Sequence, residues 1–329
     1  MKPLICNYYL TYRCNAWCGF CNIWCDGSVP ASREAPVEVV SRNLADIRKL
    51  GVKVVDFTGG EPLLYDGLPD VLTFAKKEGF RTTVTTNGIL YPDRARELAG
   101  LVDILQFSLD GTDRAWHDSI KGVSCFDQVM ESVETALSLV ERPTFIHTVT
   151  DETVSRVPEV IAFARGMGIL LFLNPCFSYF GNPGLSRENA ILLGRMARGG
   201  GVVIDRGFLR FVIDGGNRRE APFCLAVTST IVISPDDRLI LPCFHAKTRE
   251  IPINGRLVSL LNDPSVEFEK HLEGRHPFCE GCTVYCYMRA SLFRRFNRYL
   301  APSLFSAARY LFELYRSPAG KRRPIVSKG

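Results

Sequence analysis

Three thiols fall within eight residues near the start of the chain, in the run Cys14-Asn-Ala-Trp-Cys18-Gly-Phe-Cys21. Thiolate is the ligand that iron–sulfur clusters use, and three cysteines on one loop can hold three corners of a [4Fe–4S] cubane. The fourth iron then lacks a protein ligand, and chemistry can occur there. Short Cys-x2-Cys pairs also bind zinc, so a zinc knuckle or unrelated core thiols are the competing readings. Zinc sites close with a fourth Cys or His at a matching distance. The nearest candidate, Cys25, stands beside Trp24 and Asp26 and forms no second Cys-x2-Cys pair, which favours the cluster.

The surrounding sequence must position this loop. β-rich runs at 4–10, 52–58, 81–86, 103–109, 144–149 and 169–174 alternate with helical periodicity at 36–50, 68–78, 92–101, 126–140 and 155–167. Repeats of this size imply parallel strands with right-handed crossovers, an α/β sheet or barrel. Polar and glycine residues stand at the strand C-terminal ends, where such folds bind ligands. They are Thr58-Gly59-Gly60-Glu61-Pro62, Thr86-Asn87-Gly88 and Ser108-Leu109-Asp110-Gly111. Taken singly each reads as a tight turn or a cap; Gly59, Gly60, Glu61, Asn87, Ser108 and Asp110 are candidate ligand-binding residues on the strength of the family resemblance given below.

With 329 residues, 46% apolar and 23% charged, the chain has the composition of a soluble globular protein of about two domains. It shows neither a signal-peptide pattern nor an 18-residue apolar run, and it has twelve cysteines. A cytoplasmic location, where clustered thiols bind metal more often than they pair, is expected. The net charge of +5 is concentrated in the tail: residues 289–329 carry ten Lys/Arg against Glu313 alone, leaving 30 basic and 34 acidic residues elsewhere. Residues 292–315 place Phe293, Phe296, Leu300, Leu304, Ala308, Leu311 and Tyr315 at helical spacing, with Pro302 dividing or kinking the run. With its arginines and the following Lys321-Arg322-Arg323, this reads either as a membrane-surface helix drawn to anionic lipid or as a stripe packed on the barrel. Its Phe and Leu content argues against nucleic acid.

Boundary loops at Gly199-Gly200-Gly201 and 214–217 precede a second group of thiols, Cys224, Cys243, Cys279, Cys282 and Cys286. A hairpin about Pro235-Asp236-Asp237 would bring Cys224 and Cys243 together. Cys-x2-Cys at 279 and 282 suits an iron–sulfur cluster or a zinc ribbon.

The Cys-x3-Cys-x2-Cys loop with Phe20 before its third cysteine resembles the signature of the radical SAM superfamily. The resemblance implies a partial (β/α)6 TIM-like barrel over 1–215. Its [4Fe–4S] cluster would sit on Cys14, Cys18 and Cys21, with S-adenosylmethionine on the open iron. Phe20 would pack near the adenine, and the Gly-Gly-Glu-Pro turn would hold the amino group. It also implies an electron donor such as flavodoxin or ferredoxin. Lys121 stands where the family usually has arginine. The later cysteines resemble a SPASM or twitch extension over 216–290, implying one auxiliary [4Fe–4S] cluster on Cys224, Cys243, Cys279 and Cys282, with Cys286 an alternate ligand or a spectator. The family usually has glycine in the hairpin turn, where Asp237-Arg238 stand here. The basic tail, 291–329, follows. The short stretch before Cys14 leaves no room for a leader-gripping domain, and the tail favours a lipid or membrane-associated substrate. A peptide or soluble cofactor precursor is the alternative, and an electron carrier without substrate chemistry the reading from another class.

Overall fold

The computed structural model describes residues 2–178 and 184–316; Lys321-Arg322-Arg323 lies outside them. The chain alternates strand and helix. It runs β1 (Ile5–Thr11), α1 (Val37–Lys49), β2 (Val54–Gly59), α2 (Leu68–Lys77), β3 (Arg81–Thr86), α3 (Tyr91–Leu98) and β4 (Ile104–Ser108). There follow α4 (Arg114–Lys121), α5 (Phe126–Ser138), β5 (Thr144–Val149), α6 (Val157–Met167), β6 (Leu170–Pro175), α7 (Arg187–Met196), β7 (Val202–Val203) and α8 (Arg206–Ile213). Strands β1 to β7 pair in parallel, each beside the next in sequence. This is the α/β architecture of a partial barrel. Proline at the first turn of α2, α3 and α6 starts those helices where a missing N–H costs nothing. In helix α4, Asp113 caps the start by accepting the Trp116 N–H at 2.9 Å, and Gly122 ends it at φ 71°.

Beyond α8 lie α9 (Ala226–Ser229), β8 (Thr230–Ile233), β9 (Arg238–Leu241), β10 (Arg249–Pro252), α10 (Leu257–Leu260), α11 (Pro264–His271), α12 (Tyr285–Leu292) and α13 (Leu300–Arg316). β8 pairs in parallel with the free edge of β1, and β9 and β10 continue antiparallel, giving one ten-stranded sheet. The cysteine-rich segment therefore extends the same sheet. The hairpin expected about residues 235–237 forms there. Asp237 takes the left-handed position at φ 62°. Its carboxylate accepts the Asn43 amide at 2.7 Å, and that amide also reaches the Tyr8 hydroxyl at 3.0 Å. An aspartate thus fills the glycine-favouring turn position because its side chain docks the hairpin onto α1 and β1.

Alternate strand residues such as Val55, Phe57, Val84, Phe107 and Leu171 are buried beneath the helices in one core. The opposite, inner face presents Asp56, Thr58, Thr83, Thr85, Gln106, Ser108 and Asn174, all partly exposed. Helices α12 and α13 cover part of it. Tyr310 of α13 meets Phe172 edge-on at 5.9 Å and approaches the Thr144 hydroxyl at 3.3 Å. The packed face of α13 is Ser303, Ser306, Tyr310 and Leu314. The apolar stripe read from the sequence points outward instead, with Leu304 at 51%, Leu311 at 39% and Tyr315 at 51% exposure, joined by Phe305 and Phe312 at 64% and 61%. The packed-stripe alternative is thereby corrected: two buried serines make hydrogen bonds to Asp205 and Arg206 that an apolar face could not.

Because Asp237 combines a left-handed backbone with a docking hydrogen bond, Asp237→Ala should cost about 2 kcal/mol and Asp237→Gly only about 1 kcal/mol in urea unfolding. Equal losses would mean that backbone strain contributes nothing.

Candidate active site

The stem of the cysteine loop crosses the end of β2 at the closest approach a backbone allows. The Gly60 N–H donates to the Thr11 carbonyl at 2.9 Å and the Glu61 N–H to the Arg13 carbonyl at 2.8 Å. A Cβ on Gly59 would lie 2.2 Å from the Thr11 oxygen, and one on Gly60 2.2 Å from the Arg13 oxygen, so both positions require glycine. The buried Glu61 carboxylate accepts the Thr86 hydroxyl at 2.7 Å, the Asn87 N–H at 2.8 Å and the Leu63 N–H at 3.1 Å. Burial raises its pKa despite these donors. Glu61 thus ties the ends of β2 and β3 together as a positioning group.

The Asn87 amide donates to Asn15 at 2.7 Å and stands 4.0 Å from the Cys14 sulfur. On the other side, the last carbonyls of α4 hold the loop: Lys121 O accepts the Trp17 N–H at 2.8 Å and Ile120 O the Gly19 N–H at 3.1 Å. Cys14, Cys18 and Cys21 are half-buried, and none of the twelve cysteines is in a disulfide. Burial pushes the Cys14 thiol up to about 12, with Cys18 and Cys21 close enough to add to the shift. Three partly accessible thiols on a loop fastened at both flanks fit the donor set of a cubane with one open iron. Phe20 is half-buried on the same loop.

Two expectations change in the structure. Asp110 is committed to Lys121, 2.8 Å away, with both side chains buried and the His147 Nδ1 3.7 Å off. Burial would raise the Asp110 carboxyl, but Lys121 and then His147 outweigh it and hold it below the usual range. The arginine-to-lysine departure therefore gives an internal ion pair joining the end of β4 to α4, and Ser108 remains as the partly exposed side chain of that turn. Cys286 is not among the residues lining the second thiol cavity; the pKa of its thiol is raised by burial and by the charge of Asp56. His117, Asp118 and Cys125 bring ligand atoms within 4.8 Å of one another. His117 Nδ1 accepts the Asp110 N–H at 3.2 Å, which puts its proton on Nε2, and Asp118 already accepts from Ser124, Cys125 and Phe126. That triad is a capping network rather than a metal site.

Cys224, Cys243, Cys279 and Cys282 line a cavity of about 350 Å³ together with His245 and Met288. The four thiols influence one another's titration, Cys243, Cys279 and Cys282 all acting on Cys224. Four thiols around one cavity are a donor set that a tetrahedral zinc or an iron–sulfur cluster can use. Asn217, fully buried, assembles it. Its amide donates to Gly274 O at 2.8 Å and Cys279 O at 3.0 Å, and its side-chain oxygen accepts the Phe223 and Cys224 N–H groups at 2.8 and 3.0 Å. Its backbone N–H reaches Cys282 O at 3.0 Å. Sequence reasoning placed Asn217 in a boundary loop, and only its position after Gly215-Gly216 could have marked it.

Asn217→Ala should strip partners from four buried backbone groups, lowering stability by about 3 kcal/mol or more in urea unfolding. Iron bound at the second cavity should fall while iron bound at Cys14, Cys18 and Cys21 persists; unchanged iron would remove Asn217 from this role.

Residues 8–164 match the model of the Radical SAM superfamily. A probable GTP 3′,8-cyclase of Sulfolobus acidocaldarius is 30% identical over 164 residues, 49% of this chain and 51% of the relative. Another from Methanopyrus kandleri is 33% identical over 156 residues, 46% and 50% of the two chains. The chain thus spans about half the length of these curated relatives. Among solved structures, Streptococcus suis SuiB bound to precursor peptide SuiA superposes with a TM-score of 0.66 at 17% identity, over 92% of this chain and 74% of that one. anSMEcpe with bound AdoMet gives 0.64 at 16%, over 94% and 100%. At such identities these structures establish the shared fold.

Proposed function

We propose, from the premise that this chain is a radical SAM enzyme, that it transforms a polar small molecule or cofactor precursor by hydrogen abstraction from an unactivated C–H bond. Cys14, Cys18 and Cys21 would hold the [4Fe–4S] cluster, and the Gly59-Gly60 turn, Asn87, Ser108 and Phe20 would border S-adenosylmethionine. When bound, these groups supply a 5′-deoxyadenosyl radical at the expense of one electron, drawn from a donor such as flavodoxin or ferredoxin. The chain's own contribution is to hold the loop rigidly, keep Glu61 and Lys121 from the ligand by occupying them internally, and shield the reacting centre from water. Cys224, Cys243, Cys279 and Cys282 would hold an auxiliary cluster assisting oxidation or bond formation.

The observation that carries the reading is the convergence of three half-buried thiols, a Gly-Gly turn and Asn87 at one end of the sheet. A carrier without substrate chemistry has no use for that cradle. The polar inner face supports a polar substrate, because hydrocarbon there would leave Asp56, Thr85 and Gln106 without water. The curated relatives, named for a reaction of GTP, point the same way. A lipid substrate, favoured by the tail's charge alone, is not supported by either. Reduced, reconstituted protein should form more 5′-deoxyadenosine with polar metabolites than with a lipid extract, each against a no-substrate background. A Cys14/Cys18/Cys21 triple alanine variant should form none yet retain about four iron atoms. No 5′-deoxyadenosine from the fully reconstituted wild type would sink the enzyme reading, and zinc in the second site would make that site structural.

The exposed stripe of α13 favours a second, separate role. Among the described residues no helix is long and apolar enough to cross a membrane. Leu304, Phe305, Leu311, Phe312 and Tyr315 nevertheless form an outward apolar face beside Arg316, and four further Lys/Arg follow in the sequence. An anionic bilayer surface offers both the apolar depth and the opposite charge that this face lacks a partner for. The protein should float with vesicles containing phosphatidylglycerol and not with pure phosphatidylcholine, and Phe305→Ser with Phe312→Ser should weaken binding by about tenfold or more. Equal behaviour of the double variant would leave the stripe without this role.

A further inference from the structure

Helix α12 offers the inner face of the sheet one side of itself, Tyr285, Cys286 and Arg289. That side meets strands far apart. Tyr285 packs on Phe172 of β6 at 6.1 Å between ring centroids, whereas Cys286 and Arg289 sense the carboxylate of Asp56 on β2. β2 and β6 are separated by three intervening strands, so this side of α12 reaches across the inner face of the sheet.

Arg289 is solvent-accessible although Asp205 and Tyr310, near enough to act on its charge, are buried, which leaves it facing an opening among packed side chains. Among the described residues its guanidinium has no hydrogen bond and no ion pair; its recorded contact is the ring of Tyr285 at 5.9 Å. Asp56 does not neutralise it, since that carboxylate takes the Thr83 hydroxyl and stays beyond ion-pair distance. A permanently charged planar fork held in such an opening without an acceptor is poised for a ligand that brings one.

We propose that Arg289 anchors an oxyanion, carboxylate or phosphate, on the substrate, whose remaining polar groups lie against Asp56 and Thr83. The inference rests on the radical SAM reading for the place of the reacting carbon. Asp56 precedes Gly59 by three residues on β2, about 10 Å along the strand. The substrate is therefore a polar molecule with an acidic group.

The test is calorimetric titration of reconstituted protein with glycerol 3-phosphate and, separately, with succinate, which distinguishes the two anion classes. One of them should saturate the wild type in the range of about 1 mM, Arg289→Gln should weaken it at least about tenfold, and Arg289→Lys should fall between. Background 5′-deoxyadenosine formation without substrate, and iron content, should be unchanged in both variants, which excludes a folding defect. Saturation by neither anion, or equal binding by Arg289→Gln, overturns the proposal. Loss of 5′-deoxyadenosine formation in the wild type overturns the radical SAM reading instead, and the titration alone then decides the anion anchor.

Discussion

The contact on which the structure depends is the crossing of the cysteine-loop stem over the end of β2. Two backbone hydrogen bonds, from Gly60 and Glu61 to Thr11 and Arg13, bring two main chains closer than any Cβ permits. Everything that could bind a ligand is referenced to that crossing. Glu61 passes the position of β2 to β3, Asn87 passes it back to the loop, and the carbonyls at the end of α4 close the circuit on the far side. The buried Asp110–Lys121 pair secures α4 itself. Such a pair is weak evidence for net stability, but removing either partner would strand a charge, which makes the geometry hard to relax.

Strand β1 gives the two thiol sites a common frame. Its one edge pairs with β2, whose end carries the Gly-Gly turn, and its other edge pairs with β8, whose hairpin leads to Cys243. The Asp237–Asn43–Tyr8 connection adds a side-chain tie between the hairpin, α1 and β1. A continuous hydrogen-bonded sheet transmits position far better than a linker. The second cavity is thereby held at a set place relative to the first.

Helices α12 and α13 show how the same tail serves two surroundings. Tyr310 and Leu314 join Leu170 and Val203 in a small core of their own, while Ser303 reaches Asp205 at the start of α8. The outer stripe remains apolar and unpartnered among the described residues. Inside, the surfaces left open are polar, and among the described residues neither Arg289 nor Asp56 has an ion pair there.

Much was legible in the residues themselves. Period-two and period-3.6 patterns located the six core strands and their helices to within a few residues, because burial on one face leaves a local imprint. The thiol spacing, the paired glycines and Asn87 announced chemistry, since ligand type and backbone freedom are properties of individual residues. What only tertiary structure decided was partnership. Asn217 and Cys279, and Asp237 and Asn43, are far apart in sequence, Asp110 and Lys121 sit on different elements, and no periodicity records which polar group will satisfy which. The tail makes the same point: its sequence contains two helical stripes, and the one that packs was set by serines finding hydrogen-bond partners on the barrel. Cys286 is separated from the other thiols for an equally nonlocal reason, its place on α12, which leaves it out of the cavity that the other four line.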